Sequence, residues 1–201
     1  MSAQPQYRYT PEEYLALERS ATEKHEFLNG ELLTMAGASF EHTIISSNIV
    51  AALKAMLRRR GCSIHSSDLR TQTSSGLYTY PDIVIVCGKP EFHDDVFDTV
   101  INPVIIVEIL SDSTAVYDRT KKFDHYRTIP SLREYVLVEQ NTPRIELYRR
   151  IQDEYIPLER ILWAFRAMTH LGETLMLESV DCSVSLGEIY EGIEFIDNEK
   201  N

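Results

Sequence analysis

Tyr80-Pro81-Asp82-Ile83-Val84-Ile85-Val86 and Val104-Ile105-Ile106-Val107-Glu108-Ile109-Leu110 are the two stretches whose reading decides the fold of this chain. Ile83–Val86 and Val104–Val107 are apolar without alternation, so neither has a solvent face. That is how a central strand reads when it is covered on both sides. An acid stands at one end of each run: Asp82 opens the first and Glu108 closes the second. Side chains alternate along a strand, so Val104, Ile106, Glu108 and Leu110 share a face. An ionised carboxylate on such a face is costly unless it is paired, protonated or bound to a metal. Two of them on neighbouring central strands repel, and a divalent cation removes that repulsion. Oxygen-only ligands suit Mg²⁺ or Mn²⁺, and no His/Cys cluster argues for zinc. The competing reading places each acid at a strand mouth, exposed or paired with an arginine.

Working outward, Thr10-Pro11-Glu12-Glu13 starts a short helix through Tyr14, Leu15 and Leu17, with Thr as N-cap, Pro in the first turn and acids at the positive dipole end. His25–Leu28 and Glu31–Met35 read as strands joined by Asn29-Gly30, since both turn positions tolerate positive φ. After Gly37–Ser39 a long helix is expected over about His42–Arg60, with Ile45, Ile49, Ala52, Leu53, Met56 and Leu57 facing a core and Gly61 ending it. Strands are expected over Cys62–His65, Asp68–Thr73 and Leu77–Val86. A helix capped by Ser113 or Thr114 should run to about Thr128. Strands at Glu134–Val138 and Arg144–Arg149 flank a turn at Asn141-Thr142-Pro143, Tyr155–Ile161 is a further strand candidate, and Ser185 caps a last short helix through Ile189 and Tyr190. The fold class is α/β or α+β around a central mixed sheet, expected as one domain over residues 1–201.

Composition sets the setting. With 43% hydrophobic and 25% charged residues among 201, the chain reads as an ordinary globular protein. Met1–Tyr9 lacks a signal-peptide pattern, and no apolar run is long enough for a membrane span, so the expectation is cytoplasmic with no membrane partner. Cys62, Cys87 and Cys182 are widely spaced and odd in number, which fits reduced thiols better than a disulfide framework. The net charge of −11 counts against indiscriminate nucleic-acid binding. Lys54 with Arg58-Arg59-Arg60, and Arg119 with Lys121 and Lys122, are local basic clusters, although a run like the first is commonly a solvated helix end. Asp68 and Arg70 are expected as a structural ion pair on a strand.

Pro81-Asp82 followed by Glu108-Ile109-Leu110 resembles the PD-(D/E)XK motif of restriction-endonuclease-like nucleases. The surrounding text is similar to one branch, the Uma-type family described as "putative restriction endonuclease". The matching stretches are Phe27-Leu28-Asn29-Gly30-Glu31, His42, Ser67-Asp68-Leu69-Arg70, Tyr80-Pro81-Asp82-Ile83-Val84, Val107-Glu108-Ile109-Leu110-Ser111, Asp118 with Lys122 and Tyr126, and Glu134-Tyr135-Val136-Leu137-Val138. They span about residues 10–190. One departure stands out: the superfamily has a lysine two residues beyond the second acid, and here that position is Leu110. The resemblance implies that the lysine has moved to the following helix, as Lys122. Asp118, Lys122 and Tyr126 lie four apart on one helical face, with Lys121 as the alternative roughly 100° away.

The resemblance further implies a Mg²⁺- or Mn²⁺-dependent endodeoxyribonuclease acting on DNA, with Asp82, Glu108 and the Ile109 backbone carbonyl holding the ion. Lys122 would orient the attacking water or neutralise developing charge, with Glu31, His42 and Tyr126 in support. A homodimer would suit duplex cleavage. The charge of −11 and Leu110 keep two alternatives open: a nuclease-fold binding module without activity, and a metal-dependent hydrolase of a smaller phosphate ester.

Overall fold

The computed structural model describes residues 7–151 and 161–195. In chain order the elements are α1 (Pro11–Glu18), β1 (His25–Leu28), β2 (Glu31–Thr34), α2 (Phe40–Arg59), β3 (Cys62–Ser66), β4 (Arg70–Gln72), β5 (Tyr78–Thr79), β6 (Ile83–Cys87), β7 (Thr99–Val100) and β8 (Ile105–Leu110). A helical segment follows, α3 (Ala115–Tyr117), a π turn (Asp118–Lys122) and α4 (Phe123–Tyr126). Then come β9 (Glu134–Glu139), β10 (Ile145–Arg150), β11 (Trp163–Met168), β12 (Thr174–Leu177), β13 (Cys182–Ser185) and α5 (Leu186–Ile189).

The result is a mixed α+β fold with mixed sheets flanked by helices. The central sheet has the order β11-β10-β9-β8-β6-β3, antiparallel throughout except for the parallel pair β8–β9. A second sheet, β2-β1-β5-β4-β7, lies at the end of β6 that carries Asp82. As the two unalternating runs require, β6 and β8 are neighbours, and every residue of β8 is buried. Ile45, Ile49, Leu53 and Leu57 of α2 cover one face, against Ile83, Ile85, Ile105 and Val107. Ile106 and Leu110 point to the other face, under Tyr126, Ile129 and Leu132.

Most local sequence signals translate directly, although Thr114, expected as a cap, makes no side-chain cap bond at the start of α3. Thr10 and Ser185 each form a capping box, with Glu13 and Glu188, and Ser39 accepts a hydrogen bond from the His42 amide to cap α2. Long-range relations differ from expectation in several places. The strand expected over Leu77–Val86 breaks at Tyr80-Pro81-Asp82, where proline offers no N–H to a ladder, so β5 joins the second sheet and β6 the central one. The expected Asp68–Arg70 pair does not form: Asp68 lies in the turn before β4 and pairs with Lys24, while Arg70 pairs with Asp98. Cys62 and Cys87, expected as reduced thiols, are joined by a disulfide because the β3–β6 register sets them directly opposite, while Cys182 is free and buried. β7 and β11–β13 were not expected. Most of the candidate strand Tyr155–Ile161 lies outside the described residues. No helix among the described residues is long and apolar enough to cross a membrane.

The Asn29-Gly30 turn matters because β1 leads to the candidate site. Asn29 and Gly30 have φ of 52° and 87° between the paired Leu28 and Glu31, and the Tyr9 amide donates to the Gly30 carbonyl at 3.0 Å. A Cβ on Gly30 would lie 2.9 Å from Arg8 Cβ and 3.3 Å from the Tyr9 carbonyl oxygen. Gly30→Ala should therefore destabilise the protein by about 1–3 kcal/mol in urea unfolding; an unchanged midpoint would contradict this turn geometry.

Candidate active site

The register that pairs Ile83 with Val107 sets Asp82 opposite Glu108, one residue before β6 begins. The two acids meet there. The Asp82 amide donates to Glu108 Oε2 at 3.2 Å, and the Ile109 amide donates to Asp82 Oδ2 at 2.7 Å. His42, in the first turn of α2, brings Nε2 to 3.0 Å from the same Asp82 oxygen. Asp82 is partly exposed at the strand mouth, whereas Glu108 is buried behind it.

Glu108 is compensated from the other face of the sheet. Lys122 Nζ lies 2.9 Å from Glu108 Oε1, and the Tyr126 hydroxyl donates to that oxygen at 2.6 Å. Lys122 also lies 3.5 Å from Asp118 Oδ1 and 3.1 Å from Glu26 Oε1. Asp118, Lys122 and Tyr126 thus share one inward face, but the first two lie in a π turn rather than regular α-helix, a distortion frequent at functional sites. Lys121 is exposed.

The electrostatics follow from this crowding. Burial pulls the Lys122 ammonium down, yet Glu108, Glu26 and Asp118 outweigh it and hold it well above the usual lysine value. Burial raises Glu108, and Asp82 and Asp118 add to that, while the Lys122 ammonium and the Tyr126 hydroxyl beside it favour the ionised form. Burial likewise raises Asp118 despite Lys122 beside it. One ammonium shared among Glu26, Glu108 and Asp118 leaves the site short of positive charge. Among the described residues no group of three or more His, Cys, Asp or Glu side chains is arranged to hold a metal ion. The facing pair Asp82 and Glu108 is nevertheless the donor set that water-rich Mg²⁺-type ions use, one or two carboxylates with solvent completing the shell.

Comparison with known proteins gives the family of this chain and a likeness of its fold. Residues 11–184 match the Uma2 family model, described as "Putative restriction endonuclease". The chain belongs to this family. Its relatives include "Uncharacterized protein sll1609" of Synechocystis sp. (strain ATCC 27184 / PCC 6803 / Kazusa), 41% identical over 145 residues, 72% of this chain and 82% of the relative. A second protein of that organism, "Uncharacterized protein slr1290", is 33% identical over 189 residues, 94% of each chain. A solved chain from Anabaena variabilis ATCC 29413, described as "a putative nuclease belonging to DUF820", superposes with a TM-score of 0.71 at 16% identity. It covers 90% of this chain and 96% of its own, a likeness of fold.

In this Uma2-family chain the site residue that the sequence does not reveal is Glu26. It is 6% exposed, receives hydrogen bonds from the hydroxyls of Thr79 and, at 3.3 Å, Tyr117, and faces Lys122. The supporting acid expected in this hairpin, Glu31, is instead exposed and its carboxylate lies 3.8 Å from Arg8. Glu31 opposes Leu28 and so shares the face of Glu26, but it lies two residues nearer the turn, about 7 Å along the strand. Face alternation alone cannot separate the two acids; position along the hairpin does. The cluster of Arg119, Lys121 and Lys122 also dissolves: Arg119 pairs with Glu139 and Glu146, and Lys122 turns inward.

Tyr126→Phe tests the buried network, because it removes the hydroxyl donor while keeping the ring among Ile106, Leu110 and Tyr135. It should cost about 1–3 kcal/mol in chemical denaturation, the penalty for a buried acceptor losing its donor. A stability equal to the parent's would show that Glu108 does not depend on this bond.

Proposed function

We propose that this protein is a metal-dependent endonuclease that hydrolyses DNA phosphodiester bonds at a centre formed by Asp82, Glu108 and Lys122. The observation that carries the reading is the facing of two carboxylates at the ends of adjacent, doubly covered strands, with a buried ammonium 2.9 Å behind one of them. Membership of a family described as "Putative restriction endonuclease" supports it, as does a fold neighbour described as a nuclease.

Asp82, Glu108 and the Ile109 carbonyl are the groups that would hold Mg²⁺ or Mn²⁺. Such an ion, when bound, polarises a phosphoryl oxygen and lowers the pKa of a coordinated water. The chain's own groups do the positioning. The Ile109 amide and His42 fix one oxygen of Asp82, which aims the carboxylate at the strand mouth. The Tyr126 hydroxyl and, before an ion binds, Lys122 fix Glu108 Oε1. Lys122 supplies the positive charge that offsets charge developing on the phosphate, the part that Leu110 cannot play.

Cleavage of supercoiled plasmid in Mg²⁺ or Mn²⁺ is the test. Nicking should vanish in Asp82→Asn and Glu108→Gln and with chelator, and Lys122→Ala should lower the rate on the order of 10²–10³-fold, the loss typical of one charge-stabilising group. An intact plasmid with each metal would overturn the reading in favour of a non-catalytic binding module. The net charge of −11 favours, as a second reading, a smaller phosphate ester. Turnover of small phosphodiesters that DNA does not inhibit would establish that substrate instead.

A further inference from the structure

Lys122 already holds one oxygen of the carboxylate that the proposed ion would use. Its ammonium is 2.9 Å from Glu108, and its side chain is only 8% exposed, so it cannot swing into solvent without leaving the cluster. A divalent cation on Glu108 would place two positive charges against one carboxylate, and in a buried site that repulsion is poorly screened. Lys122 must therefore weaken the hold of Glu108 on metal or shift its weight onto other partners. Glu26, 3.1 Å from the ammonium, is placed to receive it. Glu26 sits on β1, in the second sheet, and the Thr79 and Tyr117 hydroxyls hold it there. Asp118, 3.5 Å away, lies in the same π turn as Lys122.

We infer that Lys122 is a built-in counter-ion for Glu108, and that Glu26 is a positioning residue that takes up the ammonium when a divalent cation binds Glu108. The inference rests on the metal-site reading above and deepens it. Metal loading is then an exchange of partners: Glu108 passes from Lys122 to the ion, and Lys122 stays charged beside the site because Glu26 holds it. The second sheet thereby takes part in metal binding without supplying a ligand.

Calorimetric titration of the full chain with Mn²⁺ alone decides this, because affinity is read independently of cleavage. Lys122→Met should bind Mn²⁺ at least about tenfold tighter than the parent, since a competing cation is gone. Glu26→Gln should bind it weaker by about threefold or more, since Lys122 then has only Glu108 and Asp118. The double variant should match Lys122→Met within about threefold, because Glu26 acts through Lys122 and the two effects couple. If Glu26→Gln weakens binding equally in both backgrounds, Glu26 is itself a ligand and the inference falls. It also falls if Lys122→Met binds no tighter, or if Glu26→Gln leaves affinity unchanged; the latter comparison decides the matter if Lys122→Met does not fold. Asp82→Asn separates the two levels: if it binds Mn²⁺ as tightly as the parent, the metal-site reading itself is wrong.

Discussion

The ion pair between Glu108 and Lys122 is what allows an acid to stand inside the central sheet. Every residue of β8 is buried, and an isolated carboxylate there would be protonated or would unfold the strand. The compensating ammonium has to come from above the sheet, and topology provides it. β8 and β9 are parallel neighbours, so the chain must cross over the sheet between them. That crossover is the helical segment from Ala115 to Tyr126, and it carries Asp118, Lys122 and Tyr126 on its inner face. The connection that the strand order demands is thus also the element that completes the candidate site.

The same dependence explains what could be read in advance. The central strands, the Asn29-Gly30 turn and the caps at Thr10 and Ser185 were legible because each is written in a few adjacent residues. So was the pairing of Asp82 with Glu108, since two doubly buried strands have few places to go but side by side. Lys122 followed from the resemblance and from the four-residue spacing to Asp118 and Tyr126, although the π turn left no local trace. Other relations between distant elements were not legible. Glu26 is recognisable only once β1 is known to pair with β5 and to lie beside the crossover. The Cys62–Cys87 bond depends on register, and Arg70 finds Asp98 across the second sheet. β11 and β12 expose much of their length, so their patterns carried little signal.

Charge is arranged in a way that suits an added cation better than a basic cleft. Arg58-Arg59-Arg60 end α2, 16 to 18 residues from His42, or roughly 24–27 Å at the helical rise. That run lies at the far end of the helix from Asp82. Arg119 and Arg144 are bound to acids nearby, and Lys122 is enclosed. A phosphate approaching Asp82 would meet an acidic mouth, and a divalent ion between the two carboxylates would turn that repulsion into attraction.

The most direct test of this centre is the position of the ion itself, read as anomalous scattering from a crystal soaked in Mn²⁺. A peak is expected between the carboxylates of Asp82 and Glu108, at the roughly 2.0–2.2 Å typical of oxygen ligands to a small divalent ion. A peak elsewhere, for instance beside Glu139 and Glu146, or an empty strand mouth at saturating Mn²⁺, would contradict it.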